Sequence, residues 1–442
     1  MSAGPLQKLS FFDSACIIVG IIIGTGIYET TPAVAACMGG WPATLAIWLI
    51  GGLLALCGAL CYAELATTYP QQGGDVVYLS HAYGPWAGFM FGWSQMVIIR
   101  PGDIALMAFV FGRYAASLYA PFPAMHMLYA AAAVLLLTFI NVLGIRESRW
   151  AQNGLTVVKV AGLLLIVGVG FMAPGGDPAP EPFGFSEGNL KLALILVLFT
   201  YGGWSDMAYV AAEIKNPGRN IARALVLGTL AVTTIYLLAN AAFLHALGFE
   251  GMAASEAVAV DTVAAFLPAG AARAIAVLVC ISALGAVNGM IFTGARISYA
   301  LGTRHAVFSK LGRWHAASGT PITALLLQCG LSLAIVLVAG SFIDTILYSA
   351  PAVWLFFLST GVSLFVLRRR DADAVRPFKV VGYPVVPIVF CGACVFMLYS
   401  SLTYALSTKP LGVAVLATII GLGATLWHAS RKKSLRRRSD GG

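Results

Sequence analysis

The chain has 442 residues, of which 59% are hydrophobic and only 10% are charged, and its mean hydropathy is +0.86. A soluble domain carries about a quarter of charged residues and cannot bury this much apolar surface, so a soluble fold is excluded and a bilayer is predicted. The apolar segments are continuous rather than alternating, which also excludes a membrane β-barrel.

Twelve apolar segments of membrane-spanning length follow one another along the chain. The predicted helices cover residues 11–37, 42–67, 85–119, 125–143, 153–172, 190–212, 222–247, 272–301, 321–339, 342–367, 383–406 and 411–428. The longest outer connections are 173–189 and 248–271, and the second is predicted to contain a short surface helix. No linker divides the chain, which predicts one all-α integral membrane domain.

The distribution of basic residues predicts the orientation. With the N-terminus inside, the inner segments and adjoining helix ends carry 22 of the 27 Lys and Arg residues. Under the positive-inside rule this asymmetry places both termini in the cytoplasm, in a cell inner membrane. The basic tail 429–442 contributes much of the formal charge of +9 and is predicted to lie against anionic lipid. This location explains the basic charge better than nucleic-acid binding does.

The sequence holds no pattern typical of an enzyme or of a metal site. The eight cysteines lie in or at the ends of apolar runs and do not cluster with histidines, so no metal, disulfide framework or cofactor is predicted. Hydrolase and metalloprotease motifs are absent, as is a phosphate-binding loop, which argues against a membrane enzyme and against ATP drive. A channel remains an alternative, and a flux far above a carrier's rate would identify one.

Glycine pairs interrupt two predicted helices near their middles. Residues 22–27 read IIGTGI in the first helix, and residues 199–204 read FTYGGW in the sixth. These glycines would serve tight helix packing if they stood alone. Two interruptions at corresponding positions, five helices apart, instead favour a 5+5 inverted repeat with a site at the midplane, with repeats at about 11–172 and 190–367 and further helices at about 383–428.

The unwound backbone predicts the chemistry of that site. A half-helix that begins near Thr25 directs free N–H groups and a positive dipole end at the cavity, which suits a carboxylate. The carbonyls that end the preceding half-helices, near Ile22 and Phe199, suit an ammonium group. One zwitterion satisfies both sets, so an amino acid is the predicted substrate.

Four segments resemble a known family. Residues 20–32 (GIIIGTGIYETTP) resemble the first-helix signature of the amino acid–polyamine–organocation superfamily, and residues 199–225 its sixth helix and following loop. Residues 281–301 and 376–390 resemble its eighth helix and the entry to its eleventh. The resemblance runs from about residue 10 to 406 and is closest to the L-type amino acid transporters and their bacterial relatives.

The resemblance implies the leucine-transporter fold with twelve helices, broken first and sixth helices, and alternating access. Backbone at both breaks would hold the amino-acid head group, and Phe199 would be the aromatic gate over it, the alternative being a core aromatic. The predicted substrate-binding residues are Ile22, Ile23, Gly24, Thr25, Gly26, Ile27, Phe199, Thr200, Tyr201, Gly202 and Gly203.

Lys159 lies about seven residues into the predicted fifth helix. A lysine at this depth is functional by default, although a lysine near the inner boundary can also extend its ammonium to the surface. Sodium-independent members of the superfamily carry a lysine here, whose ammonium takes the place of a sodium ion and would tie the first helix to the eighth. Ala286 stands where relatives often have a serine, which weakens the details of this transfer.

Further charges in the predicted helices have open roles. Arg100 and Asp103 are spaced to pair with each other across Pro101, which is predicted to kink the third helix. Glu29 has three possible roles: a solvated residue of the outer vestibule, a proton carrier, or a charge that attracts cationic substrates, and the first is preferred. The same three roles are open for Asp206. The residues predicted to take part in gating or coupling are Glu29, Asp206, Ser282, Asn288 and Trp204.

These patterns predict a sodium-independent transporter of amino acids that works by exchange. Small and apolar residues at 348–354 of the tenth helix favour neutral amino acids. A proton-coupled symporter, or a carrier of cationic amino acids or polyamines, is the alternative. Animal relatives bond a heavy partner chain through a cysteine between helices three and four; residues 120–124 (APFPA) contain none, so no disulfide-linked partner is expected.

Overall fold

The computed structural model describes residues 6–175, 190–267, 270–338, 342–408 and 410–439. Within these ranges the regular structure is helical, and the only β contacts are two isolated bridges, Leu9 with Ile214 and His315 with Thr320. The predicted all-α class is confirmed. Most of the predicted outer connection 173–189 and the end of the basic tail lie outside the described residues.

The helices follow closely the predicted apolar segments. The first nine are α1 (Phe11–Ile22), α2 (Gly26–Glu29), α3 (Thr31–Cys37), α4 (Trp41–Thr68), α5 (Asp75–Tyr83), α6 (Pro85–Ser94), α7 (Arg100–Leu118), α8 (Met125–Leu143) and α9 (Ile145–Met172). The others are α10 (Leu190–Thr200), α11 (Pro217–Ala254), α12 (Val258–Ala264), α13 (Ala271–Arg304), α14 (Ile322–Val338), α15 (Phe342–Arg370), α16 (Val385–Thr408) and α17 (Pro410–Ser439). A π-helix, Gln95–Ile99, joins α6 to α7, and 3₁₀ helices cover Trp204–Glu213 and Ala306–Phe308. The predicted short helix in the second outer connection is α12.

Ten helical stretches of the described chain are long and apolar enough to cross a membrane, where twelve were predicted. Two shorter apolar helices, Ile322–Leu337 and Leu416–Ser430, lie where the ninth and twelfth spans are predicted. Large aliphatic side chains remain exposed along the spans, such as Leu53 at 51%, Leu136 at 57% and Leu165 at 61%. Such side chains on every side of a helical bundle face lipid, so the chain is a multi-pass membrane protein.

Local sequence signals set the start of the first helix and fix it to the bundle. Ser10 caps α1 in a capping box, since its Oγ accepts from the Asp13 N–H while the Asp13 carboxylate accepts from the Ser10 N–H. The same carboxylate accepts a 2.7 Å hydrogen bond from Asn153 of α9 and lies 3.5 Å from Arg149. The inner end of α1 is therefore tied to α9, the helix that carries Lys159.

The two interrupted helices lie at the centre of the molecule. In the most apolar part of each span, 78% of the residues of Phe11–Glu29 and 72% of those of Leu190–Glu213 are buried, against 33% for Met125–Leu143 and for Val385–Ser407. The peripheral spans separate the interrupted helices from lipid. This central position satisfies the requirement that irregular backbone at membrane depth be enclosed by protein.

Candidate functional site

The first helix is interrupted where the sequence predicts. α1 ends at Ile22, and Ile23 leaves helical geometry with φ −73° and ψ 75°. The Gly24 N–H bonds to the Ile22 carbonyl two residues back, and helical structure resumes at Gly26. Within the described chain no backbone carbonyl accepts from the N–H groups of Thr25, Gly26 and Ile27, so this end of the half-helix has free donors.

The second interruption follows Thr200. Gly203 adopts φ +106°, a conformation that favours glycine, and a Cβ at this position would lie 2.5 Å from Cγ2 of Ile21. The chain then continues as the 3₁₀ helix Trp204–Glu213. The Tyr236 hydroxyl, from α11, donates to the Ile22 carbonyl at 2.8 Å and lies 3.4 Å from the Thr200 carbonyl, which joins the two interruptions.

A cavity of about 140 Å³ lies between the interruptions. It is also lined by α7 and by Ala350, Val353 and Trp354 of α15. The predicted substrate-binding residues that line it are Ile22, Gly24, Gly26, Phe199, Thr200, Gly202 and Gly203. The side chains of the other four predicted residues, Ile23, Thr25, Ile27 and Tyr201, are fully buried in the protein interior.

Lys159 joins the first interruption to α13. Its Nζ donates to the carbonyls of Gly20 at 2.7 Å, Ile23 at 2.8 Å and Ser282 at 2.9 Å, and the residue is 1% exposed. The Ser282 hydroxyl lies 3.3 Å from the same Ile23 carbonyl. A Cβ on Gly285 would lie 2.6 Å from Cε and 2.7 Å from Nζ of Lys159, so the glycine provides the space for the ammonium.

The other residues predicted to gate or couple lie in three separate places. Asn288 is in a polar network, where its Nδ2 donates to Gln152 Oε1 at 2.9 Å. Trp204 is buried and stacks on a phenylalanine of α15, and it does not line the cavity. Glu29 forms a 2.9 Å ion pair with Arg113 at the predicted outer side, so it is paired rather than free in solvent.

The predicted pairing of Arg100 with Asp103 is wrong. Arg100 instead donates from Nη1 and Nη2 to the two carboxylate oxygens of Asp206, at 2.9 and 2.8 Å, and Thr293 donates to the same carboxylate at 3.0 Å. This two-bond geometry satisfies the planar guanidinium better than a single contact along one helix. Pro101 has no N–H for an i−4 bond, and the preceding turn widens into the π-helix, with the Arg100 N–H bonded to the Gln95 carbonyl.

Two further ion pairs lie on the side predicted to face the cytoplasm. Glu213 pairs with Arg296 at 2.8 Å, with both side chains fully buried, and also accepts from Gln72. Glu64 pairs with Arg368. Arg296 lies on α13, 83 residues from Glu213 along the chain. Only the tertiary structure identifies these partners.

Comparisons with known proteins place these features in a family. The model of the amino acid permease family matches residues 9–425. The chain is 30% identical to the serine/threonine exchanger SteT of Bacillus subtilis over 98% of this chain and 99% of that protein. It is 32% identical to the b(0,+)-type amino acid transporter 1 of Mus musculus, over 89% and 82% of the two chains.

A third relative is the mouse large neutral amino acids transporter small subunit 2, at 34% identity over 93% of this chain and 80% of that protein. These relatives are transporters, not enzymes, and all three matches cover at least four-fifths of both chains. The resemblance to the amino acid–polyamine–organocation superfamily, near its L-type branch, is therefore confirmed. The chain belongs to the amino acid permease family.

Proposed function

We propose that this protein exchanges amino acids across a membrane without sodium. The observation that carries the proposal is the Lys159 ammonium, which is bonded to the carbonyls of Gly20, Ile23 and Ser282 beside the first interruption. A transporter that depended on sodium at this junction would need an open set of oxygen ligands. Here the Lys159 Nζ already occupies the place of the ion between these carbonyls.

The head group of the substrate would bind to the unwound backbone. The free N–H groups that open the half-helix at Gly26 suit its carboxylate. Its ammonium would lie at the carbonyls that end the preceding half-helices; the Phe199 carbonyl accepts from the Gly202 N–H, and the Ile22 carbonyl accepts from the Gly24 N–H and the Tyr236 hydroxyl. Because the backbone supplies both sets, the site recognises the part that all amino acids share. The side chain would then extend along the apolar wall of Val353 and Trp354.

Transport would follow alternating access in a fold of twelve spans with an inverted repeat. The paired interruptions at the centre of the described chain support this architecture, as does membership of the family. Both termini would lie in the cytoplasm and the protein in a cell inner membrane. One relative is named an exchanger and another a transporter of large neutral amino acids, which supports exchange and neutral substrates here.

A disulfide-linked partner is not part of the proposal. One relative is named a small subunit, so its assembly with another chain is a reasonable comparison. The segment 120–124 of this chain lacks the cysteine that the resemblance requires for a covalent link. We expect the purified chain to transport alone.

The test is reconstitution in liposomes with radiolabelled neutral amino acids in sodium-free buffer. Uptake into vesicles preloaded with unlabelled amino acid, and not into empty ones, is the result expected of an exchanger. Uptake into empty vesicles that requires an inward pH gradient would replace the proposal with proton symport. Absence of uptake of any neutral or cationic amino acid or polyamine would contradict amino acid transport.

A further inference from the structure

The cavity lining includes charged and polar side chains that have no part in the proposed binding of the head group. Gln95, Arg100, Asp103 and Asp206 all contribute to its lining. Arg100 and Asp206 pair through two hydrogen bonds, which leave only the Arg100 Nε without a partner among the described residues. Asp103 forms no hydrogen bond or ion pair with any part of the chain that the structure describes, although it lies one turn beyond Arg100 on the same helix.

A second group in the cavity lining also lacks a partner among the described residues. Gln95 is 6% exposed, and its Oε1 has no hydrogen-bond partner among the described residues. A buried amide oxygen without a donor costs about 1–3 kcal/mol, so such groups are normally satisfied by water or by a ligand. A carboxylate and an amide oxygen, both acceptors and both lining one cavity, call for a ligand that donates hydrogen bonds.

We propose that Asp103, in a cavity that Gln95 also lines, binds a positive charge at the far end of the substrate side chain. The protein then prefers amino acids whose aliphatic side chain ends in an ammonium or guanidinium over neutral amino acids of the same length. This inference rests on the proposed amino acid exchange and changes one part of it, since cationic amino acids replace neutral ones as the preferred substrates. The apolar wall that favours a neutral side chain would contact the aliphatic part of the cationic one.

The spacing along α7 supports this arrangement. Met107 lies one turn beyond Asp103, and the Thr25 hydroxyl approaches its sulfur at 3.4 Å, so Met107 marks the level of the first interruption. One turn of four residues rises about 6 Å. Asp103 therefore lies about one turn along the helix from the backbone that would hold the head group, a distance that the flexible four-carbon stem of a lysine side chain can cover.

The balance of charge points to the same substrate class. In the cavity lining, one cation, Arg100, faces two carboxylates, Asp103 and Asp206. The zwitterionic head group adds no net charge, so a neutral substrate leaves one carboxylate uncompensated in a largely apolar site. A cationic side chain neutralises it, and charge pairs are strong where water is excluded. A proton on Asp103 would neutralise it equally well, and the test separates the two.

The test compares lysine with norleucine, which has the same four-carbon stem without the terminal ammonium, as competitors of exchange in sodium-free proteoliposomes. For the wild-type protein we expect lysine to compete at lower concentration than norleucine. In Asp103→Asn the ratio of lysine to norleucine affinity should fall by about 30-fold or more, the loss typical of removing one member of a desolvated charge pair. Asp103→Glu should still favour lysine, and Glu256→Gln, which removes an exposed carboxylate, should leave the ratio at its wild-type value.

Two results would overturn the inference while leaving amino acid exchange intact. One is a wild-type protein that exchanges norleucine at least as well as lysine, with an unchanged ratio in Asp103→Asn. The other is norleucine uptake driven by a pH gradient and lost in Asp103→Asn, which would make the carboxylate a proton site. If the wild-type protein exchanges no amino acid at all, the proposed function itself fails. An Asp103→Asn protein that does not fold leaves the wild-type preference and Asp103→Glu to decide.

Discussion

Replacing Lys159 with methionine removes the ammonium while keeping an unbranched chain of similar length. Three carbonyls, those of Gly20, Ile23 and Ser282, lose their charged donor. A hydrogen bond to a charged group contributes about 1.5–3 kcal/mol. Burying an ammonium costs several kcal/mol, which the methionine avoids, so the two effects largely cancel and the variant should fold.

Transport should respond far more strongly than stability. Without the ammonium the carbonyls at the first interruption repel one another, and the unwound segment loses its tie to α13. We expect the exchange rate of Lys159→Met and of Lys159→Ala to fall by at least about 100-fold, which corresponds to about 2.7 kcal/mol. The smaller alanine also opens space beside the carbonyls, so partial recovery in sodium buffer is expected for that variant alone.

The assay is exchange of labelled amino acid in proteoliposomes, with thermal unfolding in detergent as the measure of folding. Lys191→Met is the matched control, because Lys191 is exposed and rests over the ring of Tyr399. This control should transport at the wild-type rate. Wild-type rates in folded Lys159→Ala would refute the assigned role and would mean that the lysine is only a structural element of α9.

Other positions give sharp tests as well. Gly285→Ala should slow exchange about tenfold, because its Cβ would lie 2.6 Å from Lys159 Cε, whereas Gly154→Ala, which meets nothing within 4 Å, should have no effect. Asp206→Asn leaves a buried guanidinium without its carboxylate and should lower the free energy of unfolding by about 3–5 kcal/mol; an unchanged melting temperature would contradict this. Burial, aided by a neighbouring arginine, lowers the pKa of His305, just outside its span, to about 4. The histidine of the unfolded chain takes up its proton at about pH 6.5, so the free energy of unfolding should fall as the pH decreases from about 6.5 to 4 and then level off. In His305→Phe the melting temperature should depend less on pH over this range.

Sequence reasoning found the features that are unfavourable in their own short segment, such as glycines within a helix or a lysine within an apolar segment. A glycine pair in an apolar helix weakens it at a known place, so the interruptions near Gly24 and Gly203 were predictable to within a residue or two. A lysine inside an apolar segment needs partners, which drew attention to Lys159. Both signals need only a short stretch of sequence and the knowledge that the solvent is lipid.

The parts it missed depend on contacts between distant residues. Arg100 and Asp206 are 106 positions apart, and the nearer Asp103 is the partner that helix spacing favours. Tyr236, which joins both interruptions, has no local feature that distinguishes it from other tyrosines in apolar helices. Pro101, which follows the π-helix, was a visible signal, since π-bulges often occur at functional sites. The proline does not indicate which residue the widened turn will face.

The charges near the cavity divide into those that hold backbone and the one that is open to a ligand. Lys159 is bonded to carbonyls beside the first interruption, and Arg100 holds the carboxylate of Asp206 just after the second. Loss of either contact changes the shape of the site itself, so it should slow all substrates together. Asp103 holds no other part of the described chain, so its loss should change the order of preference among substrates. A uniform fall in rate and a change in selectivity are separable measurements, and together they distinguish structural charges from the charge that selects the substrate.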